Sequence, residues 1–219
     1  MSFVSLHPAI KSAIAKKGWT DPTEIQREAA ECIIMGENTL LIAPTGMGKT
    51  EAALLPIFHR ILNEGVREGI ALLYITPLRA LNRDMLRRLR YFERELGISV
   101  AVRHGDTTRG ERLKLSEHAP LVLITTPETL QIMFTGRKLR KHLKNVRWVI
   151  VDEVHELVST ARGAQLSIGL ERLKAIIGHG FQRIGLSATV GDVENVAAYV
   201  AGSEGEIYVL NASAIKEYD

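Results

Sequence analysis

Ala43-Pro44-Thr45-Gly46-Met47-Gly48-Lys49-Thr50 follows an apolar run that ends at Ile42 and opens a helical pattern. A glycine-rich loop closing in Gly-Lys-Thr between a strand and a helix is a phosphate cradle. Gly46 and Gly48 let backbone N–H groups turn inward around an anion at the positive end of a helix dipole. Lys49 reaches the β- and γ-phosphates, and the Thr50 hydroxyl binds Mg²⁺. Pro44, Thr45 and Met47 complete the loop. The first glycine of the general pattern is Ala43 here, a departure. The competing reading is an ordinary strand-to-helix turn, which the placement directly after a strand disfavours. The loop predicts ATP with Mg²⁺.

Outward from the loop, short runs rich in Val, Ile and Leu recur: Thr39–Ala43, Ile70–Thr76, Ile98–Arg103, Leu121–Thr125, Val146–Val151, Arg183–Ser187 and Ile207–Leu210. They are near-continuous rather than alternating, as expected of strands buried on both faces. Helical patterns lie between them at Glu51–Asn63, Arg79–Leu96, Ala164–Ile177 and Val193–Val200. The alternation predicts an α/β fold, a mostly parallel sheet flanked by helices on both faces. Ligands then lie beyond the carboxyl ends of the strands. No linker, repeat or low-complexity tract breaks residues 1–219, which read as one domain. Residues 1–36 read as a helical element packed ahead of the sheet, with Thr20-Asp21-Pro22-Thr23 marking a helix start.

A hydrolase needs a second acidic anchor on a neighbouring strand. Val149-Ile150-Val151 runs into Asp152-Glu153-Val154-His155, delivering two carboxylates to one strand end. Asp152 is the expected Mg²⁺ anchor, and Glu153 the group that positions and deprotonates the attacking water. Taken alone, the pair reads equally well as two solvated acids at a helix start. Beside the lysine loop, the catalytic reading prevails. His155, His104 and His142 have no Cys or His partners at metal-ligand spacing, so no zinc site is expected.

Composition narrows the class. The chain has 219 residues, 46% hydrophobic and 24% charged, with seven prolines, which suits a packed core and excludes disordered and collagen-like classes. The single Cys32 makes no internal disulfide. No apolar run approaches the ~18 residues of a membrane span, and the N-terminus lacks the order of a signal peptide; a cytoplasmic protein is expected. The net charge of +3 is unremarkable, but its distribution is lopsided. Arg137, Lys138, Arg140, Lys141, Lys144 and Arg147 fall in a stretch without acids. Arginines at 79, 83, 87, 88, 90 and 94 form a second cluster. Such clusters attract phosphate backbones, or are solvated helix faces paired with Asp84, Glu93 and Glu95.

Further motifs resemble those of the superfamily-two helicases, and the resemblance spans nearly the whole chain. Asp152-Glu153-Val154-His155 resembles the DExH box. Ser187-Ala188-Thr189 resembles the motif linking hydrolysis to nucleic-acid movement, which implies coupling roles for His155, Ser187 and Thr189. Thr76-Pro77-Leu78-Arg79-Ala80-Leu81 and Thr125-Thr126-Pro127-Glu128-Thr129-Leu130 resemble two strand-end motifs that grip single-stranded backbone. Thr20, Pro22 and Gln26 resemble the upstream adenine-recognition element, with Gln26 at the base. Within the superfamily, Arg103-His104-Gly105-Asp106-Thr107, the run Asp152–Leu157, Arg162-Gly163 and Leu170-Glu171-Arg172-Leu173 are similar to the large helicase-related (Lhr) family.

The resemblance implies a RecA-like P-loop domain of an ATP-dependent DNA translocase that moves 3′ to 5′, unwinds DNA and DNA–RNA hybrids and is associated with DNA repair. It also implies a strand-gripping set of Pro77, Arg79, Arg103, Gly105, Thr126 and Thr129. Backbone-gripping motifs serve DNA and RNA alike, so single-stranded DNA is the expected partner with RNA left open. A non-catalytic nucleic-acid-binding P-loop module and an unrelated P-loop kinase are the alternatives. Nothing after Thr189 resembles the second RecA-like domain, which carries arginine fingers. The expectation is a first motor domain that binds nucleotide and hydrolyses it slowly.

Overall fold

The computed structural model describes residues 5–77, 83–188 and 190–212. Seven strands form one sheet: β1 (Thr39–Ile42), β2 (Leu72–Ile75), β3 (Val100–Arg103), β4 (Val122–Thr125), β5 (Trp148–Val151), β6 (Gln182–Ser187) and β7 (Tyr208–Asn211). Their order is β3-β4-β2-β5-β6-β1-β7, and every pairing is parallel. Each predicted apolar run overlaps one of these strands; five contain theirs whole, while β6 begins one residue before its run and β7 ends one residue after.

The sheet is sandwiched between two cores. Leu41, Leu72, Tyr74, Ile124, Trp148, Ile150 and Leu186 face one of them. There they meet α1 (Pro8–Lys16), α2 (Glu24–Met35), α3 (Lys49–Asn63) and α4 (Arg83–Leu96). Leu40, Ile42, Leu73, Ile75, Leu123, Val149 and Val151 face the other. That side is covered by α5 (Arg109–Glu117), α6 (Pro127–Met133), α7 (Arg137–Leu143), α8 (Ala161–Ile177) and α9 (Val193–Ala201). Successive strand residues point to opposite faces, so two apolar faces require continuous apolar strands.

Trp148, one of two tryptophans in the chain, is 1% exposed and belongs to the core. Trp19 is half-buried against the same core, with the Lys17 ammonium 4.6 Å from its ring centre. Among the described residues no helix is long and apolar enough to cross a membrane.

Parallel register sets the strand ends along a single edge. Ile42 lies opposite Ser187, Ile75 opposite both Val151 and Thr125, and Thr125 opposite Arg103. The phosphate loop, the acidic pair and the strand-end motifs therefore emerge on the same side of the sheet. The order also divides them. β1, β6 and β5 carry the nucleotide motifs, whereas β2, β4 and β3 carry the strand-gripping ones.

Candidate nucleotide and nucleic-acid site

The phosphate loop leaves β1 and enters α3 through two left-handed glycines, Gly46 at φ 86° and Gly48 at φ 80°. Side chains rarely adopt that conformation, so the loop's path depends on glycine. At Gly48 space matters too: a Cβ would lie 2.5 Å from the Gln26 Nε2. Gly48 caps α3 without any side-chain hydrogen bond. The first N–H groups of the helix are left for a ligand or solvent. Pro44, Thr45 and Gly46 are exposed, while Met47, Lys49 and Thr50 are half-buried.

The Lys49 ammonium folds back onto its own loop, donating to the carbonyls of Ala43 at 2.5 Å and Pro44 at 3.1 Å. Burial pushes its pKa below the usual lysine value, against the pull of Glu153 and Asp152. A desolvated cation resting on carbonyls is poised to exchange them for a phosphate. Gln26 ties this loop to α2: its Oε1 accepts from the Thr23 N–H at 3.1 Å and its Nε2 donates to the Gly48 carbonyl at 3.4 Å.

Asp152 begins just past β5, where its N–H donates to the Ile75 carbonyl of β2. Its two oxygens are taken by different donors, the Tyr74 hydroxyl at 2.6 Å and the Glu153 N–H at 2.9 Å. Burial lifts its pKa from 3.8 to about 6 despite the Tyr74 hydrogen bond. Thr50 lies near enough to the Tyr74 hydroxyl to act on it, opposing the rise in its pKa that burial and Asp152 cause. Thr50 and Asp152, the two oxygen donors expected for Mg²⁺, thus lie on either side of one buried hydroxyl, which bonds Asp152. Such a hard-oxygen set, with a carboxylate that has no ion pair among the described residues, fits a divalent metal.

Glu153 sits in the left-handed region at φ 51° and ψ 44°, where a non-glycine residue is strained. The turn it opens, Val154–Glu156, carries His155 back across the sheet end. His155 Nδ1 accepts from the Ala188 N–H at 3.2 Å and lies 3.4 Å from the Ser187 hydroxyl and 3.5 Å from a Glu153 oxygen. The structure therefore joins the Asp152–His155 motif to the Ser187-Ala188 motif through one imidazole. Thr189 lies outside the described residues.

The strand-gripping set is only partly placed. Arg79 lies outside the described residues. Pro77 is buried just after β2, and the neighbouring Thr76 hydroxyl is buried without a hydrogen-bond partner among the described residues. Arg103 ends β3 half-buried, with its pKa lowered by burial and by the nearby Arg112. Gly105 is exposed, and its carbonyl accepts from Arg112 at 2.7 Å. Thr126 and Thr129 are both 4% exposed and their hydroxyls bond each other at 3.1 Å, capping α6.

The charge clusters separate. On α4, Arg88 pairs with Glu51, Arg90 with Glu93 and Arg94 with Glu95, which makes much of that cluster structural. On α7, Leu139 and Leu143 are buried, while Arg137, Lys138, Arg140 and Lys141 face outward. Arg162 is fixed to Glu128 at 2.5 Å.

Two residues of the site escaped sequence reasoning. Tyr74 signals itself only as one polar atom in an aliphatic strand, two residues before the Thr76 motif. Arg112, which donates to the carbonyls of Gly105 and Thr107, sits on a short polar helix with no periodic signal.

Comparison with known proteins places this geometry. The family model of the DEAD/DEAH box helicase matches residues 23–196. The chain is 42% identical over 233 aligned residues to the ATP-dependent helicase Lhr-Core of Methanothermobacter thermautotrophicus, covering 98% of this chain and 27% of that protein. It is 39% identical to the Lhr helicase/uracil glycosylase of Escherichia coli, covering 91% of this chain and 14% of that protein. It superposes on the Mycobacterium smegmatis helicase Lhr bound to ssDNA and AMP-PNP with a TM-score of 0.86 and 38% identity, over 95% of this chain and 28% of that one. The chain thus spans about a quarter or less of the length of these relatives, and its fold is that of a RecA-like helicase domain. This chain belongs to the DEAD/DEAH box helicase family.

Proposed function

We propose that this chain is the ATP-binding first motor domain of a 3′-to-5′ DNA translocase. It holds ATP with Mg²⁺ on one half of the sheet edge and the backbone of single-stranded DNA on the other. The observation that carries the reading is the convergence of Lys49, Thr50, Asp152 and Glu153 on one edge, with His155 bridging to Ser187 and Ala188. The likeness to Lhr bound to ssDNA and AMP-PNP supports it.

In this reading the glycine loop and the open end of α3 wrap the phosphates with N–H donors. Lys49 trades the Ala43 and Pro44 carbonyls for phosphate oxygens, and Gln26 reads the adenine edge while keeping α2 against the loop. Thr50 and Asp152 would hold Mg²⁺, whose charge offsets that of the phosphate oxygens. Tyr74 keeps the Asp152 carboxylate oriented. Glu153 positions a water and takes its proton. His155, bonded to the segment after β6, couples the nucleotide to that segment.

A single domain supplies one face of the nucleotide. Transition-state charge on the transferring phosphoryl group calls for arginine fingers, which are worth 10³–10⁵-fold in rate. The short coverage of the relatives fits their being supplied by a second RecA-like domain. Hydrolysis by these residues alone is expected to be very slow.

Calorimetric titration with ADP and then ATP, each with Mg²⁺, tests the reading beside Lys49→Ala. Binding by the native chain, lost about 10- to 100-fold in the variant, with negligible turnover in both, is expected. Rapid turnover by the native chain would replace the half-motor reading with a self-sufficient P-loop enzyme.

A further inference from the structure

A cleft of about 500 Å³ opens between α5, α6 and α7, at the β3 edge of the sheet. Its walls are unusual for a solvent-facing surface. Leu113 and Ile132 stand 55% and 56% exposed inside it, over Met133 and Leu139. Around them stand Arg103, Arg109, Arg112, Arg137 and Lys138, contributed by two helices and a strand.

The cations are only weakly neutralised. Arg109 and Arg137 make no ion pair among the described residues, and Lys138 has Glu117 at 3.9 Å. The nearby Glu111 is engaged by Thr108. Arg112 lies close enough to Arg103 to disfavour the Arg103 charge. Arg112 spends its donors on the carbonyls of Gly105 and Thr107, which are dipoles and leave its charge uncompensated. An apolar floor ringed by like charges has no internal reason to be there; it suits an amphiphilic polyanion.

The cleft is also continuous with the strand-gripping edge. Arg103 belongs to both. Helix α6 carries Thr129 in its first turn and Ile132 about 5 Å further along its axis. We propose that this cleft is a nucleic-acid subsite, which takes the single strand where it leaves the loops after β3 and β4. Sugar and base faces lie against Leu113 and Ile132, and phosphates meet Arg109 and Arg137. This proposal rests on the single-strand reading above and extends it beyond the motif residues.

The test is fluorescence anisotropy with labelled oligothymidylates of about four and about twelve nucleotides, over a salt series, on the native chain and on Arg109→Ala/Arg137→Ala. Both positions are exposed and unpaired, so the fold is unaffected. The native chain should bind the longer strand more tightly. The double variant should lose about twentyfold in affinity for it near 0.1 M salt and about 1.4 in salt slope, while binding the shorter strand as the native chain does. Leu113→Asp alone should weaken the long strand similarly. Native-like affinity and slope for the long strand in both variants would overturn the subsite while leaving the motif grip intact. Retained long-strand binding, with loss of capture of an acidic leucine-containing peptide, would overturn it in favour of a protein partner. No binding of either strand by the native chain would overturn the single-strand reading and the subsite together.

Discussion

Replacing Asp152 by asparagine keeps the shape of the side chain and removes its charge. In the native chain the carboxyl is held between the Tyr74 hydroxyl and the Glu153 N–H, and burial raises its pKa from 3.8 to about 6. A raised carboxyl favours folding only while it is protonated. Below about pH 4 both folded and unfolded chains carry the proton and nothing is lost. Between about pH 4 and 6 the unfolded chain ionises first, so stability falls as pH rises. Above about pH 6 the penalty is complete, about 3 kcal/mol from the size of the shift. Asparagine escapes it, but its amide offers one acceptor where the carboxylate offered two, which returns about 1 kcal/mol. The variant should therefore be about 2 kcal/mol more stable near pH 7.5 and nearly level with the native chain near pH 4.5.

Urea melts followed by Trp19 and Trp148 fluorescence, without nucleotide and with chelator, read this difference directly. In thermal melts near pH 7.5 it corresponds to about 4–8 °C. Saturating Mg²⁺ and ATP should reverse the ranking, because only the native carboxylate gains a cation. A stability gap that stays flat between about pH 4.5 and 7.5, or an asparagine variant less stable at the upper end, would refute the account of Asp152 as a desolvated anion.

Three further outcomes follow from the geometry. Arg183 is 2% exposed; among the described residues its Nε has no hydrogen-bond partner and its only ion pair is to Glu171, whose side chain is 41% exposed. Arg183→Met should thus be neutral or stabilising, whereas Glu171→Ala should cost about 3 kcal/mol by stranding a buried cation; urea midpoints of the two compare them. At Gly163 a Cβ would lie 2.0 Å from the Leu157 carbonyl oxygen, so Gly163→Ala should cost about 3 kcal/mol or more. Gly169→Ala meets only the Gln131 side-chain amide and should cost less than about 1 kcal/mol, as thermal melts will show. At the left-handed Glu153, asparagine should stabilise by about 0.5 kcal/mol and β-branched valine should destabilise by about 2 kcal/mol, measured by urea melts without nucleotide.

The strands were legible because burial on both faces leaves no polar positions to interrupt them; Leu72–Ile75 and Trp148–Val151 are fully buried throughout. Helices α5, α6 and α7 left no such trace. α5 buries Leu115 alone, and a capping box between Thr108 and Glu111 holds its start, so its stability comes from an end rather than a stripe. The same distinction runs through the site. Residues close in sequence, such as Gly46–Thr50 and Asp152–His155, could be read together. The Tyr74–Asp152 bond joins residues 78 apart, and exists because β2 pairs with β5 in a register that sets Ile75 beside Val151. The Arg112 contacts depend on a helix with no amphipathic signal. Arginines 88, 90 and 94 read as one basic cluster in sequence, yet their partners are acids on or beside the same helix.

Most of what the fold gives up, it gives up in one place. A desolvated aspartate, a left-handed glutamate, a lysine bonded to its own loop, an uncapped helix start and a buried threonine hydroxyl without a partner all lie at the carboxyl end of one sheet. Each costs stability, and among the described residues the comparable exceptions elsewhere are Ser159, left-handed at φ 66°, and the buried Arg183 Nε. Thr23, Thr108, Thr126, Thr160 and Asp192 each begin a helix, and the last four of these caps bond the helix through their own side chains. Local defects spread at random would argue for a poor fold. Defects gathered on β1, β2 and β5 argue for an edge organised around charges the chain itself does not supply. An anion would answer the lysine and the open helix end, and a cation would answer the aspartate. The separation of these two demands across a single loop and a single strand end is what a metal–nucleotide pair satisfies, and neither an isolated phosphate nor an isolated metal would satisfy both.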